Sequence, residues 1–383
     1  MTIMTLTPSK MRKLYIYGIF LICLFSCNES RKQKDDNCPV LKPLSDTELI
    51  SYLAPYIDDV IFKCLPDNIY FSDLNKLLIN ENGDAIFHDM KGQMLLYPMH
   101  GDSLQIIVNR GRASNEYIAS HDIAISNDFL LLLDDTNVRC FNLYSTEVSP
   151  IMIPIDYPYD AIAPGKDGNV FLFSAYSMKP QDNTKQKDNL LHLRDINGRM
   201  LEEYIKREDC TFTIGNISQS YDNRYYLRPQ NNLHVFYELT GDDIIPAFRL
   251  DFGEQNIPDR YFYNDAGEDI GKYMLSPYYK LPMDLHHTSD HMFFHCCGPE
   301  ASDINFIYDK SGKGVRWQSG TSGYSVKILG SDKDYFYIIY NPNNVVDKNS
   351  DPMIGFLSEE FHNKVGDYSE NVWLVKLKFN PFK

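Results

Sequence analysis

Six recurrences of one strand-and-turn unit, many short β-branched and aromatic runs, and scarce helical periodicity predict an all-β fold, a six-bladed β-propeller. The 383-residue chain carries 27 Tyr and 22 Phe. Its apolar runs end in Asn, Asp, Gly or Pro, as in NKLLINENGDAIFHD, FLLLLDDTNVRCFNL, GNVFLFSAYS, HMFFHCC and DYFYIIYNP. The repeated unit reads AIFHDMKGQML near Gly92, VRCFNLYSTEV near Ser145, LLHLRDINGRML near Gly198, LHVFYELTGDDI near Gly241 and INFIYDKSGKGV near Gly312. The final VWLVKLKF, Val372 to Phe379, supplies a sixth.

The first five repeats are spaced 53, 53, 43 and 71 residues apart. Each has an earlier strand, so one unit is expected to run strand, turn, strand, and then a D-x-x-G turn before a third strand. A lone antiparallel blade exposes both faces, and several must stack around an axis to bury them. Roughly 56 residues per unit matches propeller repeats of about 50. The long gap between Gly241 and Gly312 leaves room for another strand pair, so seven blades is the alternative. Helix is expected only at Asp46 to Leu53 and, inside an insertion, at Pro352 to Val365.

The N-terminus has its own logic. Arg12 and Lys13 precede an uncharged run of 12 residues, Leu14 to Phe25. A membrane-spanning helix needs about 20 apolar residues, and a shorter run behind a basic flank reads as a secretory signal. The run ends in Leu24-Phe25-Ser26-Cys27, which resembles the lipobox of bacterial lipoproteins. That resemblance implies cleavage before Cys27, a diacylglyceryl thioether on its sulfur and acyl chains that hold the protein to a membrane. Two or more chains anchor stably where one does so marginally. Residues 1–26 are therefore expected as signal peptide, 27–45 as lipidated cysteine and polar tether, and 46–383 as propeller. In NESRKQKDDN one acid precedes the basic residues, so an outer-membrane anchor is expected with the leaflet open.

Removal of residues 1–26 takes away Lys10, Arg12 and Lys13, so 34 basic residues face 52 acidic ones, a net charge of −18. Such a chain repels phosphate backbones, which excludes nucleic acid as the expected partner. Of the 8 cysteines, Cys38, Cys64, Cys140, Cys210, Cys296 and Cys297 remain after processing, with no C-x-x-C spacing. This is not a disulfide scaffold.

With these turns in place the chain resembles the six-bladed β-propeller lipoproteins of gram-negative bacteria, relatives of the NHL and TolB-type propellers, over about Val60 to Phe379. NRGRASNEY, Asn109 to Tyr117, is similar to that family's Gly-x-Gly-x-x-Glu-Tyr segment: Gly111, Glu116 and Tyr117 match, and Ala113 replaces the second glycine. The departure points to a structural connection between blades, with Glu116 and Tyr117 in a buried hydrogen-bonded corner.

No catalytic, cofactor or metal residue is assigned from the sequence. HHTSDHMFFHCCG holds His286, His287, His291, His295, Cys296 and Cys297, but on a strand His291 and His295 lie about 13 Å apart, too far for one ion. DKNSDPMIGFLSEE begins as a calcium loop with Asp347, Asn349 and Asp351, yet Pro352 replaces the turn glycine and Ser358 the bidentate glutamate. GTSG, Gly320 to Gly323, lies between strands and reads as a turn. The expected function is a membrane-anchored module binding a small molecule, glycan or protein through loops at one propeller mouth. Apolar inner strands, taken as AISNDFLLLL and GNVFLFS, favour that reading. The alternative is a metal-dependent enzyme of lactonase or lyase type with its site over the central channel. Ring closure is expected from Val60 to Cys64 pairing with the blade that holds Tyr335 to Tyr340 and Val372 to Phe379.

Overall fold

The computed structural model describes residues 38–66, 74–89, 94–98, 103–113, 115–145, 149–174, 189–207, 215–229, 234–261, 270–319, 326–345, 347–348, 351–366 and 371–382. The signal peptide, Cys27, residues 28–37 of the tether, Gly92, Cys210, Asn349 and the GTSG turn lie outside the described residues.

Six antiparallel sheets follow one another along the chain. Blade 1 is Leu74–Ile79, Ala85–Asp89, Met94–Tyr97 and Gln105–Val108. Blade 2 is Asp122–Ser126, Phe129–Leu133, Asn137–Asn142 and Ile151–Pro154. Blade 3 is Ala161–Pro164, Val170–Phe173, Asn189–Arg194 and Met200–Lys206. Blade 4 is Asn216–Gln219, Tyr225–Arg228, Val235–Thr240 and Asp243–Leu250, and blade 5 is Lys280–His287, His291–Cys297, Asp303–Asp309 and Gly314–Gln318. Blade 6 combines Ile328–Ser331, Phe336–Tyr340 and Trp373–Phe379 with Ile57–Cys64 from the N-terminal side.

The first strand of each blade lies innermost, and each innermost strand touches those of the two neighbouring blades, blade 6 meeting blade 1. The seven-blade alternative falls away, because residues 251–279 between blades 4 and 5 hold single-turn helices and the short helix Ile270–Met274 among their described residues. Closure follows the expected pairing, and its register sets Trp373 opposite Cys64 and Leu377 opposite Val60.

The core lies in the seams between blades. Leu78, Ile86, Ile123 and Leu132 join blades 1 and 2. Phe171, Leu191, Tyr225 and Leu227 join blades 3 and 4, and Phe236, Phe294 and Phe306 join blades 4 and 5. Phe293, Trp317, Phe336 and Val375 join blades 5 and 6, and Phe87, Leu77, Tyr337 and Leu374 join blades 6 and 1. Burial of these faces against neighbours is what one blade alone lacks.

The D-x-x-G turn sits between the third and fourth strands of a blade, one strand later than the sequence reading placed it. In blade 3, Asp195 Oδ1 accepts from Asn197 and Arg199 N–H at 3.0 and 2.9 Å, and Gly198 takes φ 78°. Asp309 and Gly312 (φ 79°) repeat this in blade 5, where Asp309 Oδ1 accepts from Ser311 N–H at 2.8 Å. The carboxylate closes the turn, and glycine alone takes the left-handed position freely.

Two expectations at the N-terminal side need correction. Val40–Leu41 pairs in parallel with Arg249 and Leu250 on the outer edge of blade 4, so the chain joins the fold before residue 46. The helix expected at Asp46 to Leu53 is instead one turn, Pro43–Asp46, followed by the strand Thr47–Leu49 on the edge of blade 5. The unpaired backbone of that edge outcompetes helix: Ile50 N–H donates to Arg316 O at 2.9 Å, and Arg316 Nη1 donates to Thr47 Oγ1 at 2.9 Å. The second expected helix is present as Pro352–Lys364, within the insertion of blade 6.

Candidate functional site

The axis of the ring holds a cavity of about 320 Å3. Its wall draws on all six blades, and the strands that line it are not the apolar ones named above. Phe129–Leu133 and Val170–Phe173 are second strands, buried between blades. The lining mixes apolar side chains such as Leu74, Ile217 and Ile328 with polar ones: Lys76 from blade 1, Asp122 from blade 2, Asp160 before blade 3, Asn216 from blade 4, and Asp284 and His286 from blade 5.

Asp122 ties three blades together. Its Oδ1 accepts from Lys76 Nζ at 2.9 Å and its Oδ2 from Ile162 N–H at 3.0 Å, and Lys76 also donates to Ile123 O at 3.0 Å. Both side chains are nearly buried, so the pair is shielded from solvent. Opposite them the innermost strand of blade 5 is irregular. Its register shifts on both sides of Met283, and Leu281 and Asp284 take φ of 50° and 52°. A positive φ at a non-glycine residue costs free energy that the surrounding contacts must offset. Those contacts run from neighbouring strands: Asn216 Nδ2 donates to Asp284 Oδ1 at 3.2 Å, and His295 Nδ1 lies 3.2 Å from Asp284 Oδ2.

One end of the channel is bridged by side chains. Gln219 Nε2 donates to Ile79 O at 3.3 Å and Asn223 Nδ2 to Glu81 Oε1 at 3.0 Å, crossing from blade 4 to blade 1. Tyr225 Oη, fully buried, accepts from Ile125 N–H at 2.8 Å and donates to Ile125 O at 3.0 Å. His286 Nδ1 lies 3.1 Å from Gln219 O. Burial drives its pKa down to about 4, against the field of Asp284, so the ring is neutral at pH 7. Arg228, opposite Asn216 in the ladder, is also fully buried; desolvation lowers its pKa to about 10, with Tyr273 and Asp284 opposing the drop. The result is a polar cup, bridged at the end where innermost strands finish and lined by charge at the end where they start.

The histidine and cysteine run does not converge. His287 stacks on Tyr226 at 4.9 Å, His291 Nε2 meets Asn380 O at 3.0 Å, and Cys296 and Cys297 are buried with thiol pKa values raised by desolvation. Only His286 and His295 approach the cup. Among the described residues no group of three His, Cys, Asp or Glu side chains is arranged to hold a metal ion. In the calcium-like stretch, Asp351 is 1% exposed and caps the helix Pro352–Lys364, its Oδ1 accepting from Met353 N–H at 2.7 Å. Tyr117 is buried as expected and Gly111 N–H donates to its O at 2.8 Å, whereas Glu116 is only half-buried and accepts from Ala113 N–H at 2.8 Å at the surface.

Lys76, Asp122, Asn216 and Asp284 carry no local motif. They lie 46, 94 and 68 residues apart in sequence and meet only when the ring closes.

No curated protein matches the chain. Among solved structures, a Bacteroides fragilis protein described as exported superposes with a TM-score of 0.65 at 14% identity, covering 88% of this chain and 99% of that one. A duf4221-family protein from Bacteroides vulgatus gives 0.49 at 12% identity, covering 85% and 97%. The sequence profile of DUF5128, described as 6-bladed beta-propeller, matches residues 66–318. That match covers blades 1 to 5, and the chain therefore belongs to this 6-bladed beta-propeller family.

Proposed function

We propose that the protein is a cell-envelope lipoprotein, anchored through Cys27 to the outer membrane, whose propeller binds a small ligand in the axial cup. The observation that carries the binding reading is the cup itself. A central channel belongs to every propeller, so what marks this one is the set of polar groups that converge on it. Here the innermost strands keep about 320 Å3 open and direct Lys76, Asp122, Asn216 and Asp284 into it. Such a volume with a few convergent polar groups is the usual form of a small-molecule site. The anchor rests on the basic flank, the short apolar run and LFSC; the exported description of the Bacteroides fragilis protein agrees with it.

A thermal-shift screen of the purified chain against sugars, amino acids and organic acids tests the cup, with Asn216→Leu and Leu74→Trp variants alongside. A ligand of the cup raises the melting temperature of the native chain and loses its effect in both variants. Ligands that stabilise all three proteins equally would place binding elsewhere. For the anchor, Cys27→Ala is expected to abolish incorporation of labelled palmitate; continued labelling would point to Cys23. Protease treatment of intact cells assigns the leaflet.

A further inference from the structure

Beside the cup, between blades 5 and 6, lies a recess of about 10 Å3 lined by His295, Asp303, Asn305, Ser319 and Lys327. That is the room one water needs, provided polar partners surround it. The partners are present. His295 is 9% exposed, and Asp284 is the one partner of its ring among the described residues. Asp284 Oδ2 lies 3.2 Å from its Nδ1, which leaves Nε2 as the nitrogen without a partner among the described residues. Asn305 sits directly across the ladder from His295 and donates through Nδ2 to Ser319 Oγ at 2.7 Å, which leaves the serine proton and the Asn305 carbonyl for a third group. Lys327 is exposed, and no ion pair involves it among the described residues. Lys327 and Ile328 line both the recess and the cup, so the two spaces adjoin.

Three features that packing alone does not require coincide here. A carboxylate lies beside an imidazole, the backbone at that carboxylate is held at φ 52° within a register shift, and a one-water recess opens beside an ammonium group that has no ion pair among the described residues. Strained residues concentrate where function demands them.

We propose that Asp284, His295 and Lys327 form a metal-free hydrolytic site for a carboxylic ester or lactone held in the cup. This rests on the cup being a ligand site. His295 Nε2 takes a proton from the recess water as its oxygen attacks the carbonyl carbon. The carbonyl π electrons move onto oxygen, where the Lys327 ammonium stabilises the charge. Collapse expels the alkoxide, which takes the proton back from the imidazolium. One water is consumed, and an acid and an alcohol leave. Asp284 is a positioning residue beside Nδ1, and Asn216 donates to its other oxygen.

The test uses the purified full chain with 4-nitrophenyl acetate and δ-valerolactone. Saturable hydrolysis above the buffer rate is expected. His295→Gln should lower kcat on the order of 100-fold or more with little change in KM. Lys327→Met, at an exposed site that leaves folding intact, should lower kcat at least about tenfold. Asp284→Asn is isosteric and suits a left-handed backbone, so a fall in kcat at an unchanged melting temperature separates positioning from folding. Leu74→Trp should raise KM. No turnover above buffer, or turnover indifferent to His295→Gln and Lys327→Met, overturns the hydrolytic site. If turnover is absent while ligands still bind in an Asn216-dependent way, the binding reading stands alone. Turnover that needs His295 but ignores Leu74→Trp would instead remove the cup.

Discussion

Asp122 shows how a single side chain serves both the ring and its channel. It neutralises Lys76 from blade 1 and fixes Ile162 N–H of blade 3, so three blades meet on one carboxylate. Breaking a nearly buried pair by removing one partner leaves the other charge desolvated and unpaired, which typically costs about 3–5 kcal/mol. Asp122→Ala is therefore expected to lower stability by about 3 kcal/mol in urea titration, while Asp122→Asn, which keeps an acceptor for Ile162, should cost less. Equal loss from both variants would mean that the acceptor kept for Ile162 contributes nothing beyond the ion pair; no loss in Asp122→Asn would mean that the ion pair contributes nothing. Neither Lys76 nor Asp122 is recognisable in the sequence as anything but a polar residue in a strand. Their meaning lies in the partner, 46 residues away.

Among elements, the N-terminal segment does the most with the fewest residues. Val40–Leu41, Thr47–Leu49 and Ile57–Cys64 lie in turn on the outer edges of blades 4, 5 and 6. Two cover edges by parallel pairing and the third closes the ring. The closing strand was legible, because Val60-Ile61-Phe62 is an apolar run next to a blade short of one strand. The two short straps were not, since two or three residues carry no periodicity and their strand state is imposed by the open edge. The D-x-x-G turns were legible for the opposite reason: an Asp side chain and a left-handed Gly make the turn from local chemistry alone. These roles rank the outcome of truncation. Deletion of residues 28–38 should leave the melting temperature unchanged, because no described sheet includes them. Deletion through residue 50 should lower it by several degrees and promote association through the uncovered edges. Deletion through residue 66 should abolish cooperative unfolding, because blade 6 would lose its fourth strand. A cooperative transition in the longest deletion would refute closure by Ile57–Cys64.

At the scale of the whole molecule, stability rests on seams that hold several titratable groups in neutral form. Burial lowers the pKa of His88, His234 and His286 from 6.5 to about 4, and that of His287 to about 3. The four rings sit in or beside blades 1, 4 and 5; His88 and His234 act as separate sites, whereas His286 and His287 are neighbours whose effects are coupled. The sign follows from linkage. In the unfolded chain these rings protonate near pH 6.5, whereas in the folded protein they resist protonation until about pH 4. The unfolded state thus binds protons first as the pH falls. The stability each ring contributes is complete above pH 6.5 and is lost as the pH falls towards 4. At pH 5 a ring shifted from 6.5 to about 4 has lost about 2 kcal/mol, since one pH unit is worth 1.36 kcal/mol. Four such rings approach the whole stability of a typical domain, about 5–15 kcal/mol. The melting temperature is therefore expected to fall steadily below pH 6.5, with unfolding at 25 °C between about pH 5 and pH 4, before most carboxylates titrate. His287→Phe keeps the stacking on Tyr226 and removes one titrating ring, so its melting curve should depend less steeply on pH by about one proton. A melting temperature that stays level from pH 6.5 to pH 4.5, or a His287→Phe variant with the slope of the native chain, would show that these buried rings do not govern the acid limit of the fold.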